Sequence, residues 1–172
     1  MVEVENSYPV AAKLRLALLE PDIPQNAGTL FRLAACMGIP VDFIEPAGFD
    51  ASDRNLRRAG LDYIAHVHIE RHLDFTHFER WRRNHRYRLI LATTHGAQNA
   101  YAFAFQPGDI IMLGRESAGA PPHVHEAADA RIALPLAPGL RSLNIAVAGA
   151  MLVGEALRQL DALPAFGSTE GK

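Results

Sequence analysis

The sequence predicts an α/β domain with a mainly parallel sheet flanked by helices. Short apolar runs of β-like composition alternate along the chain with segments of helical period, an order that favours parallel strands joined by crossover helices. Glycine-rich or polar turns follow several of these runs. Ligands of such sheets bind beyond the carboxyl ends of the strands, so we expect a functional site at that edge.

The first part of the chain is predicted to form a strand, a helix and a second strand. Leu14–Leu19 and Val41–Ile44 are the two short apolar runs that predict strands. Between them, Pro21–Gln25 is predicted as a loop and Asn26–Met37 as an amphipathic helix, which Gly38 ends.

The middle of the chain is less regular. A short helix is predicted around Ser52–Arg58, with Gly60 placed to close it. Tyr63–Ile69 alternates in hydrophobicity and predicts a half-buried strand. Asp74 can then cap a helix that runs through Asn84.

The last part of the chain contributes three more buried strands and a final helix. The predicted strands are Leu89–Thr93, Ile110–Leu113 and Arg131–Leu134, and the helix runs from about Ile145 to Leu160.

Length and composition predict one domain over residues 1–172, with a core at about 14–160 and a flexible tail at about 164–172. The 172 residues are 49% apolar and 21% charged, the ordinary globular mix. No secretory signal is visible, and the longest apolar stretch, Ile145–Leu157, is shorter than the roughly 20 residues that span a bilayer. We expect a cytoplasmic protein without membrane contact. The lone Cys36 is predicted to be a buried structural thiol.

Arginine is unevenly distributed, although the net charge is only −2. One cluster consists of Arg54, Arg57 and Arg58. A second, at 80–88, interleaves arginine with aromatic residues, which suits phosphate pairing and base stacking. A solvated helix face explains the second cluster equally well.

Two polar segments predict a ligand pocket. Gly114–Gly119 and Arg131–Asn144 each combine a β-like run with glycine or proline and polar side chains. The loop before the first helix adds Asn26, which can cap that helix. It also adds Arg32, which lies on an otherwise apolar helix and needs a carboxylate or phosphate partner.

Other site classes have little support. The sequence lacks the glycine fingerprints of dinucleotide-binding and phosphate-binding loops. The pairs His66/His68 and His123/His125 suggest a metal, but neither has a partner at a recognised ligand spacing, so we expect no metal cofactor.

Five segments together resemble the SPOUT methyltransferases of the TrmH group, and within it the small TrmL (YibK-like) enzymes that methylate the 2'-hydroxyl of cytidine or uridine 34 in tRNA. The resemblance extends from about Leu14 to Leu160. It rests on Asn26 with Gly28 and Arg32, on Gly114 with Glu116 and Gly119, on Pro135 with Arg141–Asn144, and on Ile44–Phe49 and Leu56–Tyr63.

The resemblance implies S-adenosylmethionine as cofactor, S-adenosylhomocysteine as product, tRNA as substrate, a C-terminal deep trefoil knot and a homodimer. Carried over by position, the cofactor-binding residues are Ala92, Thr93, Gly114, Glu116, Gly119, Leu134, Ser142 and Leu143. Arg32 is the implied catalytic residue. The implied substrate-binding residues are Asn26, Arg57, Arg58, Arg141 and Asn144.

The last motif departs from the better-known members. Ile145, Ala146 and Val147 stand where Leu-Ser-Asn is common, and Gly154 stands where well-studied relatives carry a tyrosine. The alternatives are therefore a SPOUT module that binds cofactor or RNA with altered or lost catalysis and, with least support, a histidine-metal hydrolase.

Overall fold

The computed structural model describes residues 13–52 and 62–166. They contain seven strands: β1 (Leu14–Leu19), β2 (Val41–Ile44), β3 (Ile69–His72), β4 (Arg88–Ala92), β5 (Gln98–Asn99), β6 (Asp109–Leu113) and β7 (Ala130–Ala133). The helices are α1 (Pro24–Met37), α2 (Phe75–Asn84), α3 (Pro122–Ala127) and α4 (Ile145–Gln159). Two short 3₁₀ turns lie at Asp62–His66 and Ala100–Ala102.

The strands form one parallel sheet in the order β3-β2-β1-β6-β4-β7-β5. The predicted fold class is therefore confirmed, while the knot stays a prediction. Because β6, β4 and β7 are neighbours, the loops that follow these three strands meet at one edge of the sheet.

Both faces of the sheet are covered, as the unbroken apolar strands require. In β1, Leu16 and Leu18 face the core formed with α1 and α4, whereas Ala17 and Leu19 face the core formed with α2 and α3. Among the described residues, no helix has the length and apolar character needed to cross a membrane.

Two local predictions for the first helix are wrong. Helix α1 begins at Pro24, with Ile23 at its N-cap and no side-chain cap, because proline is well suited to the first helical position. Asn26 thus lies inside the first turn and does not cap the helix. Cys36 is exposed, because it lies about half a turn away from the buried side of α1, where Ala34 packs.

The strand predicted at Tyr63–Ile69 is also wrong. The chain forms a 3₁₀ turn at Asp62–His66, and the strand begins at Ile69, where it pairs with Val41. Ile64 and Val67 pack against the first core from this turn, so their apolar character reflects packing against α1 and not sheet pairing. Most of the short helix predicted at Ser52–Arg58, and the tail at 167–172, lie outside the described residues.

Candidate active site

A cavity of about 510 Å³ lies at the edge of the sheet where the loops after β4, β6 and β7 meet. Volumes of this order accommodate cofactors and drug-sized ligands. All eight residues predicted to bind a cofactor line this cavity: Ala92, Thr93, Gly114, Glu116, Gly119, Leu134, Ser142 and Leu143. Asn26 and Asn144 also line it.

The cavity also contains residues that the sequence interpretation missed. Thr94 and His95 continue the loop after β4, and His125 of α3 faces the same space. The rings of His95 and His125 are 6.5 Å apart and nearly perpendicular. The position of Thr94 and His95 directly after a buried strand was the available signal, whereas His125 reaches the cavity through the packing of α3.

Gly114 permits a close approach of two backbone segments. A Cβ atom at Gly114 would lie 2.7 Å from the carbonyl carbon of Gly119 and 2.8 Å from the nitrogen of Ala120. The loop is closed by two backbone hydrogen bonds between Arg115 and Gly119, of 2.8 and 3.1 Å. Only a residue without a side chain fits at position 114, and this keeps the adjoining wall of the cavity made of backbone.

A reciprocal pair of hydrogen bonds fastens the loop after β1 to the loop after β6. The Asp22 backbone N–H donates to Glu116 Oε2, and the Glu116 backbone N–H donates to Asp22 Oδ1, each at 3.0 Å. The Ser117 hydroxyl donates to the second oxygen of Asp22. We call this cluster of Asp22, Glu116 and Ser117 the loop clamp.

The loop clamp extends to the start of α4 through two asparagines. Asn26 Nδ2 donates to Glu116 Oε1 at 3.3 Å, and Asn144 Nδ2 donates to Asn26 Oδ1 at 3.0 Å. Asn144 Oδ1 accepts the backbone N–H groups of Ala146 and Val147 and so caps α4. The predicted residues Asn26 and Asn144 are thus brought together, and their amides hold the cavity wall.

The two carboxyl groups of the loop clamp have opposite pKa shifts. Hydrogen bonds from Glu116 and Ser117 lower the pKa of Asp22 well below its ordinary 3.8. Burial, reinforced by the neighbouring Asp22, raises the pKa of Glu116 above its ordinary 4.5. Asp22 is accordingly the ionised member of the pair, and Glu116 retains a proton to higher pH.

The loss of stability caused by Asp22→Asn is expected to pass through a maximum as the pH is varied. Asp22 contributes stability that is lost as the pH falls below 3.8, whereas Glu116 contributes stability that is lost as the pH rises from 4.5 through its raised pKa. We expect the free energy of unfolding of the wild type, relative to Asp22→Asn, to be greatest between about pH 4 and 5. The change toward either side should be about 1 kcal/mol or less, since the pair is partly exposed.

Urea denaturation of both proteins across the acidic and neutral range measures this difference. Asp161→Asn is the matched control, because it removes an exposed carboxylate that lies outside the clamp. A wild-type advantage that keeps increasing up to neutral pH would contradict the assigned order of ionisation.

Arg32 has a partner that the sequence did not predict. Arg32 Nη2 donates to the hydroxyl of Tyr63 at 3.3 Å, and the guanidinium carbon lies 4.5 Å from the centre of the Tyr63 ring. Among the described residues, Arg32 forms no ion pair with a carboxylate. The predicted carboxylate partner is thus not found among the described residues, and the predicted phosphate partner stays a prediction.

The remaining predicted cations fall into two groups. Arg141 is exposed on the loop that leads to α4. Arg57 and Arg58, together with Arg54, lie outside the described residues.

Much of the second arginine cluster is used inside the fold. Arg82 is buried and pairs with Glu79 and Asp129, both at 2.7 Å. Trp81 packs beneath Arg15, whose guanidinium carbon is 4.8 Å from the ring centre. These contacts favour the structural interpretation of the cluster over base stacking.

His66 and His68 are not arranged on one strand face. His66 ends the 3₁₀ turn, whereas His68 lies just before β3. Within residues 13–52 and 62–166, no three or more His, Cys, Asp or Glu side chains are grouped so that they could hold a metal ion.

Known RNA methyltransferases share this fold. A solved structure described as giving insight into 2-OH methylation of C/U34 on tRNA superposes with a TM-score of 0.80 and 38% identity, covering 86% of this chain and 96% of that one. An AdoMet-bound rRNA methyltransferase from Sinorhizobium meliloti has a TM-score of 0.79 and 25% identity, covering 88% of this chain and 58% of that one.

The chain belongs to the SpoU rRNA Methylase family, whose model matches residues 13–154. A tRNA (cytidine(34)-2'-O)-methyltransferase of Ancylobacter novellus is 58% identical over 146 residues, which cover 85% of this chain and 92% of that protein. The resemblance seen in the sequence motifs is thereby confirmed.

Proposed function

We propose that this protein is an S-adenosylmethionine-dependent tRNA methyltransferase that modifies the 2'-hydroxyl of the wobble nucleotide, cytidine or uridine 34. The observation that carries this proposal is the cavity, because it gathers residues from three separate loops that the cofactor motifs single out. The names of the relatives support the same reaction and the same nucleotide.

The residues of the cavity fit this cofactor. Ile132, Leu134 and Leu136 supply apolar surface for a flat ring, and the backbone near Gly114 is accessible because no side chain covers it. Backbone groups at Gly114, Leu134 and Leu143 are suited to hold the polar edges of an adenosine. When bound, the cofactor supplies an activated methyl group, and its demethylated product is S-adenosylhomocysteine. No metal is needed, since positioning the acceptor oxygen supplies most of the acceleration.

Arg32 is the proposed catalytic residue. An arginine is effectively always protonated in proteins, so it acts as a cation and not as a base. Its exposed guanidinium is suited to orient the phosphate beside the acceptor ribose and to stabilise the developing alkoxide. Arg141 adds a second phosphate contact, and Arg57 and Arg58 are proposed to extend the same path for the RNA backbone.

A homodimer is supported by an apolar stripe on α4. Leu143, Val147 and Met151 are spaced four residues apart and are 39, 48 and 40% exposed. Val147 and Met151 share one face of α4 and Leu143 lies two residues before the helix, so association there would bury three exposed apolar side chains. We propose that this α4 stripe packs against a second copy of the chain in the cytoplasm, where the proposed tRNA substrate is found.

A charge introduced into the α4 stripe is expected to weaken the dimer. Met151→Glu should weaken the dimer at least about tenfold, because an unpaired carboxylate is costly to bury. Sedimentation equilibrium should give twice the chain mass of 18.8 kDa for the wild type and a shift toward one chain for the variant. Leu73→Glu is the matched control, since Leu73 is 72% exposed at the far edge of the sheet. A wild type that stays monomeric, or a variant that associates equally well, contradicts this interface.

Transfer of labelled methyl from S-adenosylmethionine to unmodified tRNA tests the proposed function. We expect label on the ribose of nucleotide 34, located by nuclease mapping, and none on a matched tRNA that carries a deoxynucleotide at that position. Label at another nucleotide overturns the substrate assignment. If cofactor binding is demonstrated but RNA stays unlabelled, the chain is a binding module that has lost this catalysis.

A further inference from the structure

We infer that Tyr63 is a positioning residue that holds Arg32 for the acceptor ribose, an inference that rests on the proposed function. Two contacts connect the pair. The hydroxyl of Tyr63 accepts a hydrogen bond from Arg32 Nη2 at 3.3 Å, and the ring lies 4.5 Å below the guanidinium carbon. The ring holds the guanidinium close to its face, and the hydroxyl bonds one of the two terminal nitrogens, so the two contacts together restrict the side chain.

Tyr63 is itself held in place by the core. It lies half-buried in the 3₁₀ turn at Asp62–His66, and this turn lies against α1. The neighbouring Ile64 and Val67 pack into the core formed by α1 and α4. Arg32 emerges from α1, so the same packing fixes both partners relative to one another.

Tyr63, the partner of Arg32, differs in chemistry from the partners of the buried and partly buried arginines of the fold. Arg15 donates to Asp42 at 2.8 Å, and Arg88 donates to Asp109 at 2.7 Å. Both of these arginines are paired with a carboxylate that cancels their charge. Arg32 has, among the described residues, a neutral phenol in that place.

A neutral aromatic partner restrains a cation without neutralising it. The ring attracts the guanidinium through its negative face, and the net positive charge stays available to an incoming phosphate or alkoxide. Arginine has a large rotamer entropy, which is reduced before the RNA arrives when the side chain is already held. We therefore assign to Tyr63 the pre-organisation of Arg32.

Four variants test this assignment by steady-state methylation of tRNA. Tyr63→Ala should lower kcat/KM for tRNA about tenfold, the effect of losing a cation–π contact together with a hydrogen bond. Tyr63→Phe should lose less, and Tyr63→Trp should restore most of the activity, since tryptophan is the stronger cation–π partner. The matched control is Tyr101→Ala, because Tyr101 is a tyrosine that is 47% exposed and lies outside the cavity.

The double variant Arg32→Ala/Tyr63→Ala separates positioning from a general structural role. If Tyr63 acts through Arg32, the double variant should be no slower than Arg32→Ala alone. Cofactor affinity should match that of the wild type for Tyr63→Ala. If the rate reductions of the two single variants multiply in the double variant, the inference is wrong. Full activity of Tyr63→Ala would also overturn it.

A second measurement is independent of activity. The Nε proton of Arg32, assigned in NMR spectra by its loss in Arg32→Lys, should resonate upfield because the guanidinium carbon beside it lies over the Tyr63 ring. Tyr63→Ala should remove this displacement, whereas Tyr63→Trp should retain it. An unshifted proton in the wild type refutes the inference even if tRNA is methylated. A shifted proton in a protein that leaves tRNA unmethylated supports the contact and refutes the proposed function instead.

Discussion

Arg32→Ala is expected to lower the rate of methyl transfer to tRNA by about 10²- to 10³-fold, the usual cost of removing one donor that stabilises a developing oxyanion. The exposed guanidinium lies on α1 and not on the wall of the cofactor cavity. Cofactor affinity should therefore remain that of the wild type. Single-turnover transfer of labelled methyl, with cofactor binding measured by calorimetry, distinguishes these two quantities.

Two controls sharpen the result. Arg32→Lys keeps the charge but lacks the planar fork, so its rate should fall between those of the wild type and Arg32→Ala. Arg158→Ala removes another exposed arginine, which is held by Glu155 at the end of α4, and should leave the rate unchanged. Equal rates for the wild type and Arg32→Ala would remove Arg32 from the proposed mechanism.

Gly114→Ala adds a single methyl group and is expected to distort the cofactor cavity. The new Cβ would meet the backbone at 2.7 and 2.8 Å, so the loop must move because no flexible side chain can yield. We expect cofactor affinity to fall at least about tenfold and stability to fall by about 1 to 3 kcal/mol, as for other overpacked sites. Calorimetric titration and urea denaturation measure the two effects.

Gly154→Ala provides the comparison, because a Cβ at that position would meet no atom of the described chain within 4 Å. In a helix this change should stabilise the fold by about 0.5 to 1 kcal/mol and leave cofactor affinity unchanged. If Gly114→Ala binds the cofactor like the wild type, the contact between Gly114 and Gly119 does not shape the site.

Predictions from apolar runs and hydrophobic periodicity succeeded where an element packs uniformly, on both faces for β1 and β2 and on one face for α4. The boundaries predicted for β1 and β2 coincide with those of the structure, and α4 differs by one residue at its C-terminal end. The helix predicted after Asp74 is confirmed, with the Asp74 carboxylate accepting the backbone N–H of His77 at 2.8 Å. Apolar runs and capping residues are local signals, so the sequence alone carries them.

The sequence also identified the residues of the cavity, because the family motifs lie in loops that follow strands. What it did not contain was the order of those strands. β4 lies between β6 and β7 in the sheet, which brings Ala92 and Thr93 between the two glycine-rich and polar loops. Parallel strands are joined by long crossovers, so neighbours in the sheet are not neighbours in sequence.

The same reason explains why the partners of the functional side chains were missed. Asn26 bonds to Glu116 across 90 positions of sequence and to Asn144 across 118, and no local pattern encodes such distances. Arg32 contacts Tyr63 only because a 3₁₀ turn packs against α1 where a strand was expected. The sequence by itself determined most of the strands, their strand-end loops and the residue types of the site. Tertiary packing alone decided which of them meet, since hydrogen-bond partners depend on where each segment docks.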